Sequence, residues 1–248
     1  MTILLTALLG LIVGSFLNVC IYRIPRRESI AYPASHCPEC RQPIKVYDNI
    51  PLLSYLLLGG RCRSCGVRIP LRYLVVEAAT GAGFAAIVGR FGVHSYSLLY
   101  LVFFSVLLVL TFIDLEHQIL PDVITVPGIP LGLLSGLLLP QARLLSSVLG
   151  LLLGGLLFYL VAFLSRGGMG GGDIKLVAMI GSFLGWQRLL VTIFLATLSG
   201  SLIGLSLLAM GLKGRKDPIP FGPFLSLGAF LSLIWGDSVV GWYAAFLR

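Results

Sequence analysis

Charged residues are scarce in this sequence, where Asp, Glu, Lys and Arg together make up only 11% of 248 residues. A soluble globular domain normally carries about 25%, so this scarcity excludes an ordinary soluble protein. Hydrophobic residues make up 57% instead. Predominantly apolar runs such as 97–113 and 144–164 approach or exceed the roughly 20 residues that cross a bilayer as a helix. The composition therefore predicts an all-α polytopic membrane protein.

Basic residues are missing ahead of the first apolar run, 2–22, and no small-x-small cleavage site follows it. A secretory signal peptide carries both features, so we expect this run to be a retained transmembrane helix. Further apolar segments bring the prediction to about eight transmembrane helices. These segments are 71–89, 96–113, 123–139, 144–164, 174–184, 189–212 and 221–246.

Acidic residues are fewer than basic ones, 10 against 18, which leaves a formal net charge of +8. If the polar stretch after the first helix is cytoplasmic, the eight-helix arrangement places all but four of the basic residues on the inner side. The positive-inside rule asks for this distribution, so nucleic-acid binding is not needed to explain the charge and we predict none. Both termini are then predicted to be external. The four outer basic residues are Arg90, Arg143, Arg188 and Arg248.

Cysteine is also rare, and four of the five cysteines form two C-x-x-C pairs, Cys37 with Cys40 and Cys62 with Cys65. Such pairs place four thiolates around one tetrahedral zinc ion. Two disulfides or a thioredoxin-like redox site are the alternatives, and the basic character of the loop argues for a reducing cytoplasm instead. A four-thiolate site has no open position, so the predicted zinc is structural. It would hold a small zinc-ribbon-like insertion between helices 1 and 2.

Acidic residues interrupt the apolar pattern at two places. The stretch RGGMGGGDIK at 166–175 ends its glycine run in Asp173, and FIDLEHQILPD at 112–122 places Asp114 directly after an apolar run. A carboxylate at the edge of a hydrocarbon layer is costly, which favours a functional role. In the eight-helix topology both aspartates fall on the inner face at similar depth.

The alternative interpretation is structural. Asp173 would then N-cap the following helix inside a flexible loop, and the 112–122 stretch would be a solvated loop. We keep this interpretation for three residues of the second stretch, namely Glu116, His117 and Asp122.

Two aspartates at one partly dry site would share a proton, because like charges a few ångströms apart resist ionising together. One carboxylate can then take a proton from water while the other protonates or hydrogen-bonds the scissile carbonyl. This pattern is typical of aspartyl protease chemistry, and it predicts Asp114 and Asp173 as the catalytic pair.

The sequence resembles the bacterial type IV prepilin peptidases, also called leader peptidase/N-methyltransferases, which are GxGD-type aspartyl proteases. The resemblance covers essentially the whole chain in order. Gly170–Asp173 matches the GxGD signature, and Asp114 lies in a match to the first aspartate block. Further matches are Gly14–Val19, Tyr22–Pro25, the four paired cysteines, Arg72-Tyr73 through Glu77, and the closing turn Pro218–Pro223.

This resemblance implies a peptidase of the bacterial inner membrane that removes short basic leaders from type IV prepilins and type II secretion pseudopilins at the cytoplasmic face. It also implies methylation of the new N-terminus with S-adenosylmethionine. No Rossmann fingerprint accompanies the glycine-rich run, which follows an apolar helix. Glu77 and Lys175 are weak candidates for binding the methyl donor, and a structural ion pair is the alternative for Glu77. The division that follows is 1–22 as first helix, 23–71 as cytoplasmic zinc domain and 72–248 as seven-helix catalytic domain.

Two other functional classes stay open at this point. A transporter would also place acids and glycine-broken helices in the membrane, although its carboxylates are expected near the midplane and its halves should repeat, which we do not see. A redox membrane protein would use the C-x-x-C pairs directly. The oligomeric state is not predicted.

Overall fold

The computed structural model describes residues 1–138, 144–165, 168–214 and 217–246. Within these ranges the chain forms α-helices and one short 3-10 helix, without a β-strand. It divides into two compact units, Met1–Val109 and Leu110–Arg248. The predicted ranges 1–22, 23–71 and 72–248 divide the chain by role, and they stay a prediction.

The first unit is built on two long apolar helices, α1 (Thr2–Arg23) and α3 (Arg72–Phe91). They approach closely because glycines face the contact. A Cβ on Gly10 would lie 2.7 Å from the carbonyl oxygen of Thr80, and one on Gly14 would lie 2.8 Å from the Cα of Glu77. Small residues permit this kind of close helix packing in membranes.

The polar segment between α1 and α3 contains the 3-10 helix Val46–Asn49 and the short helix α2 (Leu53–Leu57). Two isolated antiparallel bridges, His36 with Pro43 and Arg61 with Arg68, fold the chain back beside each C-x-x-C pair. A small insertion between the first two long helices is therefore present, as predicted.

Helix α4 (Ser95–His117) passes from the first unit into the second. The second unit adds α5 (Asp122–Leu138), α6 (Leu144–Leu164), α7 (Gly171–Ala209) and α8 (Gly222–Phe246). Helices α6 and α7 touch at the backbone, since a Cβ on Gly150 would overlap the carbonyl of Gly181.

Helix α7 is interrupted at Gly185, which has φ 76° and ψ 170°. Its 39 residues would measure about 58 Å as one straight helix, roughly twice the hydrocarbon thickness. The left-handed φ at Gly185 is one that a side-chain-bearing residue rarely adopts. The break falls between the predicted segments 174–184 and 189–212.

Among the described residues, six helices are long and apolar enough to cross a membrane, and α5 is a shorter apolar helix of 17 residues. The prediction of an all-α, multi-pass membrane protein is confirmed. The count of eight crossings and the assignment of sides stay predictions. Several basic residues behind that assignment lie outside the described residues, namely Arg143, Arg166, Arg215, Lys216 and Arg248, as does Leu139 at the end of one predicted segment.

Candidate active site and metal site

Asp114 lies near the carboxyl end of α4 and is 5% exposed. Its carboxylate is held from the main chain of another helix, because the Gly222 N–H donates to Oδ2 at 2.9 Å. Gly222 is the first residue of α8, so the donor is one of the N–H groups that a helix start leaves without an intrahelical partner. The hydrogen bond fixes the orientation of the carboxylate.

Gly222 also has no room for a side chain. A Cβ at this position would lie 2.6 Å from Oδ2 of Asp114 and 3.2 Å from Cδ2 of Leu120. The family resemblance pointed to the closing turn Pro218–Pro223, but it did not reveal this direct contact with Asp114. The signal was present in the sequence PFGP at Pro220–Pro223, whose glycine is the first residue of α8.

Asp173 lies in the first turn of α7 and is half-buried. Its own N–H donates to the carbonyl oxygen of Gly170 at 3.1 Å, which starts the helix. Leu120 links the surroundings of the two aspartates, because it is close to Gly172, which precedes Asp173, and to Gly222, which contacts Asp114. The structure thus brings together the two aspartates that the sequence singled out.

Leu120 packs against the starts of both α7 and α8. A Cβ on Gly172 would lie 2.8 Å from the Cβ of Leu120, so the glycine next to Asp173 is needed for close approach. Leu120 meets Gly222 on its other side. The motif glycines thus set the distance between the helix ends that carry the site, a role that the bare GxGD pattern does not reveal.

The other charged residues of the 112–122 stretch lie exposed at helix ends, and the loop expected there is confined to residues 118–121. Glu116 and His117 are exposed at the end of α4, and Asp122 is the first residue of α5. An acid in the first helical turn is favourable because of the helix dipole. Asp122 also accepts from Lys175 Nζ, at 2.7 Å to each carboxylate oxygen. This ion pair joins the first turns of α5 and α7.

Chemically, this arrangement offers a buried carboxylate with a fixed main-chain donor and a second, half-buried carboxylate nearby. Two interacting carboxylates at a partly dry site are suited to hold one proton between them and to move it to and from a substrate carbonyl and a water molecule. The arrangement is compatible with general acid–base chemistry.

The four paired cysteines form one cluster, whose Sγ atoms all lie within 4.8 Å of one another. Two of them, Cys37 and Cys65, have their Sγ atoms 3.9 Å apart. Four thiolates at about 2.3 Å from a tetrahedral zinc ion are separated by roughly 3.8 Å, so the cluster fits zinc. Each bridge described above returns the chain beside one pair, which explains how the two cysteines of each pair come together.

Hydrogen bonds around the cluster favour the thiolate of Cys62 but not that of Cys65. The backbone N–H groups of Cys65 and Ser64 lower the pKa of Cys62 to about 7. The Val67 N–H lowers the pKa of Cys65, but burial and hydrogen bonds with the other three cysteines raise it overall to about 12. Arg63, between the two cysteines of the second pair, forms a two-pronged ion pair with Asp48, with Nη2 2.6 Å and Nε 2.9 Å from its carboxylate oxygens. The hydrogen bond from Arg63 holds the pKa of Asp48 below its usual range.

Glu77 and Lys175, the two weak candidates for cofactor binding, both have partners inside the chain. Glu77 is 7% exposed, and its Oε2 accepts from the Leu52 N–H at 2.8 Å. Lys175 pairs with Asp122 as described. Neither contact tests whether they bind the methyl donor, and that assignment stays a prediction.

Two family models match the chain. The bacterial peptidase A24 N-terminal domain matches residues 8–91, and the type IV leader peptidase family matches residues 101–205. The first match contains the cysteine cluster, and the second contains both aspartates. No solved structure matches the chain.

Curated relatives match over nearly the whole chain. A prepilin leader peptidase/N-methyltransferase of Pseudomonas aeruginosa is 37% identical over 98% of this chain and 94% of its own length. A protein of the same name from Bacillus subtilis is 36% identical over 94% of each chain. One from Myxococcus xanthus is 44% identical over 84% of this chain and 64% of its own length.

Proposed function

The chain belongs to the type IV leader peptidase family of aspartic peptidases, and on this premise we propose that Asp114 and Asp173 are its catalytic pair. The observation that carries the proposal is their juxtaposition at the converging ends of α4, α7 and α8. The Gly222 N–H on Asp114 and the Gly172 contact with Leu120 support it. Both residues lie within the part of the chain that matches the family model.

The proposed reaction is hydrolysis of a peptide bond without a covalent intermediate. One aspartate, ionised, removes a proton from a water molecule as its oxygen attacks the scissile carbonyl carbon. The other, protonated, donates its proton to the carbonyl oxygen. Collapse of the resulting diol breaks the C–N bond, as the departing amine takes up a proton from the protonated aspartate and a diol hydroxyl gives its proton to the ionised one, which restores the pair. Peptide and water are thereby converted into an acid and an amine.

The proposed substrates are type IV prepilins and type II secretion pseudopilins, cut behind a short basic leader at the cytoplasmic face. The names of the relatives support prepilins as substrates. The positive-inside distribution of basic residues supports cleavage at the cytoplasmic face. We expect acidic residues near the inner face to favour a basic leader, because opposite charges steer association in a salt-dependent manner.

We propose that methylation of the new N-terminus follows cleavage, with S-adenosylmethionine supplying the methyl group. The shared name of the relatives, which couples peptidase to N-methyltransferase, supports this second activity. Glu77 and Lys175 remain the weak candidates for the donor's site, and their contacts within the chain add no support. A structural zinc ion held by Cys37, Cys40, Cys62 and Cys65 would order the polar insertion, since small metal domains fold around their ion.

The test is cleavage of a model prepilin by the purified protein in detergent, comparing wild type with Asp114→Asn and Asp173→Asn. Asn is nearly isosteric but can neither accept nor donate the catalytic proton, so we expect each variant to lose at least about 100-fold in kcat. Thermal unfolding and zinc content serve as controls for folding. A variant that cuts near the wild-type rate would show that its aspartate is structural.

A further inference from the structure

We propose that helix α2 (Leu53–Leu57) is an interfacial anchor, whose apolar face docks into the anionic headgroup layer of the bilayer beside α3. This site lies in the first unit and does not depend on the proposed catalytic pair. The ligand class is the acidic phospholipid surface.

The apolar face consists of three leucines on one turn of helix. Leu53, Leu56 and Leu57 are 49%, 67% and 76% exposed. Their spacing of three and four residues places them on one side of the helix. Single exposed leucines need no explanation, whereas a contiguous apolar face on a polar insertion indicates a surface that is normally covered.

The position of this face relative to the bilayer follows from Glu77. The carboxylate of Glu77 accepts from the N–H of Leu52, the residue that precedes α2, at 2.8 Å. Glu77 is the sixth residue of α3, so it lies about 7.5 Å along the helix from Arg72. Helix α3 is a candidate membrane span of 20 residues, close to the length that a bilayer core requires. The start of α2 is therefore tied to a point within the span, at the depth where interfacial helices lie.

The backbone at Leu52 shows that this attachment is a constrained one. Leu52 has φ 59° and ψ −50°, and the Leu53 N–H donates to the carbonyl oxygen of Pro51 at 2.6 Å, so Leu52 is the centre of a γ-turn. This turn conformation is rare and strained. Glu77 is buried, and α1 packs directly against it, since a Cβ on Gly14 would lie 2.8 Å from the Cα of Glu77. The leucine face is thus held in place and is not a freely moving loop.

The positive charge of the insertion indicates that the leucine face docks on an anionic lipid surface and not on an uncharged apolar surface. Residues 24–71 carry seven basic and three acidic side chains, a formal charge of 7 − 3 = +4. Clusters of Lys and Arg next to a membrane helix are attracted to acidic lipids. An apolar face at interfacial depth together with surrounding positive charge is typical of a segment lying in the headgroup layer. The basic residues are Arg26, Arg27, Arg41, Lys45, Arg61, Arg63 and Arg68.

Photo-crosslinking in native membranes tests what covers the face. Benzoylphenylalanine replaces Leu57 in the full-length chain, and adducts are identified by mass spectrometry after irradiation. We expect phospholipid adducts at this position. The control is the same probe at Ser64, which is exposed between the cysteines of the second pair and should give none. Adducts to another protein, or equal lipid labelling at both positions, would overturn the proposal.

A second arm tests the attachment through Glu77. In Glu77→Leu the acceptor for the Leu52 N–H is lost, and we expect the lipid adduct at position 57 to fall at least about fivefold. Glu77→Gln retains a side-chain carbonyl that can accept, and it should keep most of the adduct. Unchanged labelling in Glu77→Leu, with zinc still bound, would overturn the role given to Glu77.

A third arm tests the choice of lipid in nanodiscs. Discs that contain phosphatidylglycerol should give several-fold more adduct at position 57 than discs of phosphatidylcholine alone. Salt at 0.5 M should reduce this difference, because a Debye length of about 4 Å at that concentration screens the attraction between the basic residues and the acidic lipids. Equal yields in both discs would overturn the anionic part of the proposal.

Discussion

The cysteine cluster and the aspartate site are held together by different kinds of contact. All four cysteines come from one polar insertion, where two local turns bring them within 4.8 Å. The aspartates instead come from the ends of separate long helices, and glycines without space for a side chain set the distances between those ends. A local turn tolerates change around it, whereas a junction of packed helices is sensitive to a single methyl group. The predictions below test this contrast.

The largest effect is expected from Gly222→Ala. The added methyl would lie 2.6 Å from Oδ2 of Asp114, so the carboxylate must move and its hydrogen bond from the main chain must weaken. Misplacement of a reacting group by about 1 Å costs on the order of 100-fold in rate, and we expect a loss of that size in prepilin cleavage.

The matched control is Gly241→Ala in the same helix. A Cβ at Gly241 meets no atom within 4 Å, so cleavage should be unchanged. Equal activity of the two variants would contradict the role given to the start of α8.

Gly172→Ala should have the next largest effect. Its methyl would lie 2.8 Å from the Cβ of Leu120 and would push the first turn of α7, with Asp173, away from its position. We expect kcat to fall between about 10- and 100-fold. The neighbouring variant Gly171→Ala has open space at its Cβ and should retain near wild-type kcat; if both variants fall alike, general disturbance of the glycine run explains the loss.

Removing the proposed zinc ion should affect the insertion more than the aspartate site. A chelator strips the ion, and small metal domains unfold without it, so residues 37–65 should become sensitive to protease. Because the aspartates are positioned by helices of the second unit, we expect prepilin cleavage to stay within about tenfold of the zinc-loaded protein. Zinc content, proteolysis and kcat measured on one sample check this. Complete loss of cleavage, restored by adding zinc, would show that the two sites are coupled.

The smallest effect is expected from Lys175→Met. The Lys175 and Asp122 side chains are 41% and 61% exposed, and exposed ion pairs contribute only about 0.2–1 kcal/mol. Cleavage should therefore fall by about fivefold at most, with little change in unfolding temperature. Asp122→Asn should produce the same loss, and the double variant should add nothing further. Losses that simply add would indicate independent roles for the two residues.

Much of the candidate site could be predicted from the sequence because its motifs combine residue types that serve few other purposes. Paired C-x-x-C spacing predicted the cysteine cluster, and an acid directly beside an apolar run predicted Asp114. The contacts of Gly222 and Leu120 could not be predicted, since a glycine in a turn and a leucine in an apolar protein are both ordinary. Their roles depend on distances between residues far apart in the chain.

The sequence by itself determined the class of protein, most of the helical segments and the candidate residues for the chemistry. Composition decides whether a chain belongs in a bilayer, and hydrophobic run length decides where a helix can cross. Only the tertiary structure decided that Asp114 accepts from the start of α8, that Lys175 pairs with Asp122, and that Glu77 holds the backbone ahead of α2. These contacts follow from how closely helices can pack, and glycine positions permit that packing without revealing which partner will be met.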